Sequence, residues 1–189
     1  MSHNKLTLEA VSTDSADPMA KTILENTQKT LGFVPNMYSY FANSPALLKS
    51  YTDTYTLFRN NTDFNGVEQE VVFLTISREN ACHYCMAAHS FVADNMTHVP
   101  TEVTEAIRDN TPLPDAKLNA LSELTKAIVV KRGNIDKTDV ENFTSAGYTE
   151  TQILDVIVAL SAKIISNYTN HIFHTPIDDV FAGRAWDAP

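Results

Sequence analysis

Apolar residues recur every three or four positions along most of the chain, which is the spacing of one helix face. Residues 115–133 follow it at Leu118, Leu121, Leu124, Ile128 and Val129. Residues 149–173 carry a wider apolar face, which predicts a central helix. No Asn-Gly or Asp-Gly pair joins two alternating runs, and the run VVFLTI at 71–76 has helical signals on both sides. We therefore predict an all-α fold of about seven to nine helices with short connections.

Glycine and proline mark the expected helix ends. Gly32, Gly133 and Gly147 each follow a segment of helical period, where glycine supplies the left-handed residue that closes a helix. Pro18 and Pro45 each follow an aspartate or serine suited to cap a helix, so we place them in first turns. No repeat, low-complexity tract or linker interrupts the pattern. Residues 1–189 are therefore predicted to form a single all-α domain.

Composition and charge exclude several classes of protein. The hydrophobic fraction of 43% predicts a packed globule, and the net charge of −9 argues against nucleic-acid binding. No apolar run approaches the ~18 residues that a membrane span needs. The N-terminus has no basic segment followed by an apolar one, so we expect no secretory signal and a cytoplasmic location. In that compartment a C-x-x-C pair is more often catalytic, redox-active or metal-binding than a structural disulfide.

Both cysteines of the chain belong to one such pair, Cys82 and Cys85. We predict that Asn80 caps a helix running from about residue 81 to 96, with Cys82 in its first turn. His89 lies seven residues after the first cysteine and four after the second, so both sulfurs and the imidazole share one face. The positive N-terminal end of a helix favours a thiolate. His89, with Glu70 on the preceding helix, is suited to move protons, so this group predicts a reactive dithiol.

Two other interpretations of the cysteines remain open. Cys82, Cys85 and His89 offer three ligands to a structural zinc site, but no second pair supplies the fourth. Alternatively, the cysteines are inert and buried, or belong to a non-enzymatic module that senses redox state or binds a ligand. A c-type haem requires histidine directly after the second cysteine, where Met86 stands. We predict a dithiol enzyme without a metal or cofactor.

The stretch EVVFLTISRENACHYCMAAH, from Glu70 to His89, resembles a known signature. It has the E-x(11)-C-x-x-C-x-x-x-H pattern of the alkyl hydroperoxidase D-like, or carboxymuconolactone decarboxylase, superfamily. The segment LGFVPNMYSYFANSPALLKSY at 31–51 resembles the peroxidase-related branch, and ALSAKIISNYTNHIFHTPIDD at 159–179 is similar to it as well. The resemblance covers most of the chain.

This resemblance implies a compact multi-helix fold and a homo-oligomer, either a dimer, a trimer or a hexamer. It implies that Cys85 ionises and attacks the substrate, that Cys82 resolves the product as a disulfide, and that Glu70 and His89 relay protons. The substrate would be a small hydroperoxide or a disulfide. An unidentified thiol or lipoyl-type reductant would restore the dithiol. The decarboxylase branch generally lacks the C-x-x-C pair, so lactone decarboxylation is not expected.

The residues between the cysteines depart from the pattern. Alkyl hydroperoxidase D has a relay histidine directly before its second cysteine, but Tyr84 stands there and the histidine comes one place earlier, at His83. One residue is about 100° of helical turn, so His83 should face the surface or a partner. With an ordinary pKa near ~10, Tyr84 is expected to donate a hydrogen bond rather than act as a base.

Polar residues near the C-terminus complete the candidate site. Asn167, Asn170 and His171 share a face of the central helix, where they either wall a cavity near the thiols or reach the surface at the helix end. Trp186 is the only tryptophan and lies close to the C-terminus. We expect it to dock on a neighbouring subunit, since aromatic anchors are common at interfaces.

Overall fold

The computed structural model describes residues 6–14 and 16–188, so residues 1–5 of the N-terminus lie outside it. Within those ranges the chain forms nine α-helices and no strand. Their bounds are α1 Pro18–Leu31, α2 Asn36–Phe41, α3 Pro45–Asn61, α4 Gly66–Glu79, α5 His83–Val92, α6 Thr101–Asp109, α7 Ala116–Val130, α8 Lys137–Ser145 and α9 Glu150–Phe173. A π-helical turn, Ala93–Thr97, extends α5, and a 3-10 helix, Asp179–Arg184, precedes the C-terminus. The all-α prediction is confirmed.

The predicted helix ends agree with the structure. Pro18 and Pro45 open α1 and α3 behind side-chain caps, and Gly32 closes α1 in the left-handed conformation with φ 82°. Gly133 and Gly147 follow α7 and α8, also with positive φ. None of the described helices is both long and apolar enough to cross a bilayer.

The core is built around α4, whose residues from Glu68 to Ser77 are all buried. This helix packs against α5, α6, α7 and α9, so the apolar run 71–76 is a buried helix as predicted. The long helix α9 also packs along α3 and touches α2 and α5. Because α4 and α9 both border α5, the polar side chains on their inner faces are close to the two cysteines.

The helix that carries the cysteines begins two residues later than predicted. Asn80 ends α4 instead of capping α5, since its backbone N–H still bonds to Ile76 O at 3.0 Å. Ala81 then turns the chain in the left-handed conformation, with φ 54°. Cys82 is therefore the N-cap of α5 and does not lie in its first turn. The backbone bond from Met86 N to Cys82 O, at 2.9 Å, keeps the two cysteines one turn apart.

The expectation that Trp186 is free to dock on another subunit is wrong, because it is buried in its own chain. Its ring lies 5.8 Å from that of His83, and its indole N–H donates to Arg108 O at 3.3 Å. The Arg108 guanidinium binds the carbonyls of the two residues before Trp186. The C-terminal segment is thus folded back along α5, where Trp186 O lies 2.8 Å from His83 Nδ1. His83 itself stays exposed, as predicted.

Candidate active site

The two thiols lie side by side in the interior. Cys82 and Cys85 are free, and their exposed fractions are 0% and 2%. Helix α9 supplies the polar atoms nearest to Cys85: Asn170 Nδ2 donates to Sγ at 3.5 Å, and Ser166 Oγ lies 3.8 Å from Sγ. The sulfur of Cys85 is therefore in contact with two groups suited to stabilise negative charge.

The surroundings give the two thiols opposite pKa shifts. The hydrogen bond with Cys85 and burial raise the pKa of Cys82 well above its usual value. Burial alone would raise the pKa of Cys85, but the bond with Cys82 and the positive charge of Lys163 hold it well below its usual value. The surroundings therefore favour a thiolate on Cys85 over a thiolate on Cys82.

Glu70 and His89, the predicted relay pair, are in direct contact. Glu70 Oε2 lies 2.8 Å from His89 Nδ1, and both side chains are buried. The other carboxylate oxygen accepts a hydrogen bond from Arg59. The Arg59 guanidinium covers the rings of Tyr55 and Phe73, at 5.0 and 4.8 Å from their centroids. Arg59 thus holds the carboxylate in place from the side opposite His89.

The protonation of this network follows from its charges. Burial alone would raise the pKa of Glu70, but His89 and Arg59 together hold it below its usual value. Burial and the charge of Lys163 lower the pKa of His89, against the effect of Glu70. An ionised carboxylate only accepts hydrogen bonds, so Nδ1 of neutral His89 carries the proton. Its Nε2 then has the free lone pair of a proton acceptor.

Solved structures share this arrangement of helices. No protein-family model matches the chain, and no curated protein matches it either. An uncharacterized peroxidase-related protein from Ralstonia eutropha JMP134, described as an alkylhydroperoxidase AhpD core, matches with a TM-score of 0.83 at 18% identity, over 98% of this chain and 100% of that one. The chain has the AhpD-core fold.

Two further structures share this fold, but one is named as a peroxidase-related protein and the other as a debrominase. An uncharacterized peroxidase-related protein from Silicibacter sp. TM1040 matches with a TM-score of 0.78 at 21% identity, over 97% of this chain and 98% of that one. A variant of the debrominase Bmp8, in complex with 2,3,4-tribromopyrrole, also has a TM-score of 0.78, at 14% identity and over 97% of both chains. At such identities the likeness establishes the AhpD-core fold and leaves the reaction open.

Within the AhpD-core fold, two charged residues of this site were missed by the sequence analysis. Arg59 has no local signal, because its partner Glu70 is brought to it by the packing of α3 against α4. Lys163 is fully buried on α9, and its Nζ lies 5.1 Å from the Phe73 ring centroid. A single lysine in the apolar stretch ALSAKIIS was a visible signal, because a charge there cannot reach solvent from the inner face.

Tyr84 is buried, and its hydroxyl is directed away from the proton relay. It donates to Asp178 Oδ2, and the same carboxylate accepts from the backbone N–H of Asn36 at 3.0 Å. Burial and this carboxylate raise the pKa of Tyr84 far above its usual value, so the phenol keeps its proton. Tyr84 is therefore a fixed hydrogen-bond donor that ties α5 to the C-terminal segment and to α2.

The three polar residues predicted near the end of α9 have separate surroundings. Asn170 contacts Cys85, whereas Asn167 Oδ1 accepts from Asn80 Nδ2 at 2.9 Å and so joins α9 to the end of α4. The Nε2 of His171 is buried without a hydrogen-bond partner in the described part of the chain. Burial also lowers the pKa of His171, which keeps the ring neutral.

Two further observations bear on the contents of the site. A cavity of about 500 Å³ lies between α7 and α8, and a smaller one of about 180 Å³ lies beside α4, α6 and α7. Neither cavity is lined by a cysteine.

Over residues 6–14 and 16–188, no three His, Cys, Asp or Glu side chains are grouped as metal ligands. His89 Nδ1 is bonded to Glu70, so its imidazole is oriented by the relay.

Proposed function

We propose that this protein is a dithiol oxidoreductase that reduces a hydroperoxide or a disulfide through Cys85 and Cys82. The feature that supports this most is the pair of free, buried cysteines whose surroundings shift their pKa values in opposite directions, down at Cys85 and up at Cys82. The hydrogen-bonded Glu70–His89 pair next to them supplies the proton acceptor. Peroxidase-related proteins with the same fold support the same class of reaction.

The chemistry of a peroxide substrate would take three balanced steps. The Cys85 thiolate attacks the terminal peroxide oxygen, the O–O bond breaks, and the leaving alkoxide takes a proton to become an alcohol. The Cys82 thiol then attacks the sulfenic acid of Cys85, which forms the disulfide and releases water. A thiol or lipoyl-type reductant then gives two electrons and one proton to restore the Cys85 thiolate and the Cys82 thiol, and its second proton replaces the one taken by the alkoxide. A disulfide substrate would instead react by thiol–disulfide exchange at Cys85. We propose that the reaction takes place in the reducing cytoplasm.

Titration with a limiting organic hydroperoxide tests this proposal. We expect each equivalent of peroxide to consume both thiols of one chain and to leave an intramolecular disulfide, seen by mass spectrometry as the loss of two hydrogens. With excess dithiothreitol, the protein should turn over many equivalents. A single oxidation without turnover would instead indicate a redox-sensing module. Stoichiometric zinc, with thiols that do not react, would indicate a structural metal site.

A halogenated aromatic compound is a second candidate substrate. The cysteines share a buried cluster with Phe41 and Tyr51, and partly buried Tyr38 packs against it. The rings of Phe41 and Tyr38 both meet Tyr51 edge to face, so an aromatic ligand would find similar partners there. The AhpD-core debrominase binds a tribromopyrrole. Reductive debromination also balances with a dithiol, since an aryl bromide and two thiols give the arene, a disulfide and hydrogen bromide. Bromide release from 2,3,4-tribromopyrrole with dithiothreitol would support this reaction, and its absence would exclude this substrate.

We also propose that the protein forms a homo-oligomer through the outer face of α9. Four large apolar residues on one face of this helix are between 40% and 67% exposed: Leu154, Ile157, Tyr168 and Ile172. Between Leu154 and Ile172 no charged residue lies along this face, and a second copy can present the same uncharged surface in return.

Charge on this face should weaken the assembly. We expect the Ile157→Glu/Tyr168→Glu double variant to have a lower mass by light scattering, because each copy would bring like charges into an apolar contact. Val130→Glu on α7 is the control, since Val130 is more exposed than Ile157 and Tyr168 but lies off the α9 face. An unchanged mass for the double variant would place the interface elsewhere.

A further inference from the structure

Lys163 is a buried charge that takes part in none of the three steps proposed above. It is fully buried in the middle of α9, and its Nζ has no hydrogen-bond partner in the described part of the chain. The ring of Phe73 is near the ammonium group, but a ring compensates only a small part of the lost hydration. A buried cation is costly unless an anion lies close to it, so the surroundings of Lys163 should contain one.

The neighbouring charges leave Cys85 as that anion. Glu70 is already balanced by Arg59, which forms an ion pair with it. His89 is neutral near pH 7, because its pKa is lowered. Lys163 therefore adds one positive charge that is unbalanced if Cys85 is a thiol. If Cys85 is a thiolate, this buried group of five residues has no net charge.

The other ionisable groups around Cys85 do not supply an anion. Raised pKa values keep the protons on Cys82, Tyr51 and Tyr84, which approach from α5 and α3. Burial lowers the pKa of His171 on α9, which leaves that ring neutral.

Helix α9 carries Lys163 on the same face as the two residues that contact Cys85. Lys163, Ser166 and Asn170 are spaced by three and four residues, so their side chains form one row along the helix. Two members of this row contact Cys85 Sγ, at 3.8 Å from Ser166 Oγ and 3.5 Å from Asn170 Nδ2. Lys163 is the member of this row one turn closer to the N-terminus of α9. Its positive charge favours a lower pKa for both cysteines.

We propose that Lys163 is the counter-ion of the Cys85 thiolate, and that it favours the dithiol over the disulfide. Reduction of the disulfide takes two electrons and one proton, and it leaves a thiolate on Cys85 and a thiol on Cys82. Oxidation removes the negative charge and leaves Lys163 buried without an anion, which raises the free energy of the disulfide form. When the reduced form is stabilised in this way, the disulfide form of the pair is a stronger oxidant. Lys163 thus positions charge for the proposed reaction, on which this inference rests.

The Lys163→Met variant tests the counter-ion directly, because it removes the charge and keeps most of the volume. We expect the pKa of Cys85, followed by thiolate absorbance against pH, to rise by ~1 unit or more, a tenfold change in ionisation. In glutathione buffers, the dithiol–disulfide equilibrium should shift at least tenfold towards the disulfide, equal to about 30 mV. Lys126→Met on α7 is the matched control, and neither quantity should change in it. An unchanged Cys85 pKa in folded Lys163→Met would overturn the proposal.

A reciprocal measurement decides the question if Lys163→Met does not fold. In Cys85→Ala the buried Lys163 loses its anion, whereas Cys82→Ala removes a neighbouring thiol and keeps the Cys85 thiolate. The reduced Cys85→Ala protein should therefore unfold at a lower urea concentration than reduced Cys82→Ala. Equal urea midpoints for the two variants would refute the pairing. Neither measurement uses a peroxide. A failure of peroxide turnover would therefore count against the proposed function and leave this result intact.

Discussion

Replacing Cys85 by serine should abolish peroxide-dependent oxidation, and the rate should fall by at least ~10³-fold, as when an enzyme loses its nucleophile. A serine hydroxyl keeps its proton near neutral pH and has no oxidation chemistry comparable to a thiolate. The surroundings that lower the pKa of Cys85 cannot bring a hydroxyl into its ionised range. Peroxide consumption by the reduced variant, followed by stopped flow, measures this loss.

Cys82→Ser is the matched control, because it changes the neighbouring sulfur by the same single atom. The first oxidation should persist and stop at a sulfenic acid on Cys85, which a dimedone adduct identifies by mass. Turnover with dithiothreitol should become slow, because no internal thiol closes the disulfide. If the adduct formed instead on Cys82 in the Cys85→Ser variant, the two roles would be reversed.

Glu70→Ala should lower the free energy of unfolding by about 3–5 kcal/mol, the usual cost of removing one partner of a buried ion pair. Glu70 is fully buried between Arg59 and His89 and bonds to both through separate oxygens. Its removal leaves the guanidinium without its anion and the imidazole without the acceptor that orients Nδ1. Urea unfolding, with the slope checked for two-state behaviour, measures the loss.

Two variants separate the causes of this loss. Asp53→Ala breaks the exposed Lys49–Asp53 pair on α3, and its stability should stay within experimental error. Glu70→Gln keeps the shape and one acceptor, so it should be more stable than Glu70→Ala while still losing the negative charge of the relay. A Glu70→Ala protein as stable as wild type would show that Arg59 is solvated on its own.

The Glu70 carboxylate should also make the folded protein less stable at acid pH. The pKa of Glu70 is lower in the folded protein than in the unfolded chain. Its stabilisation is therefore complete above the ordinary pKa of a glutamate, near ~4.3, and is lost as the pH falls through the lower folded value. Between those values wild type should lose stability with acid more steeply than Glu70→Gln. Parallel curves would place the acid sensitivity in other groups.

Local patterns in the sequence determined the elements of this protein. The three-to-four spacing of apolar residues, with glycine and proline at the ends, predicted an all-α fold and its buried fourth helix. These features depend on neighbours within one or two turns, so the sequence contains them directly. The same holds for Cys85 and His89, which are four residues apart on α5 and share a face through helical periodicity.

The first residue of α5 could not be predicted from the local sequence alone. Asn80 has the side chain of a good cap, but the packing of α4 against α5 requires a left-handed turn at Ala81. Asn80 therefore stays with α4, and the cap position passes to Cys82. An N-cap side chain stabilises a helix by about 1 kcal/mol, and the burial of α4 contributes more than that.

The balance of charges at the thiols was decided by the tertiary structure. Arg59, Glu70 and Lys163 come from three different helices, and nothing in their spacing along the chain shows that they share one interior with Cys85. The sequence alone supplied two thiols in helical register and a histidine that follows them. Which thiol carries the charge depends on burial and on ions brought together over long separations, because electrostatic energies depend on distance and solvent access in the folded protein.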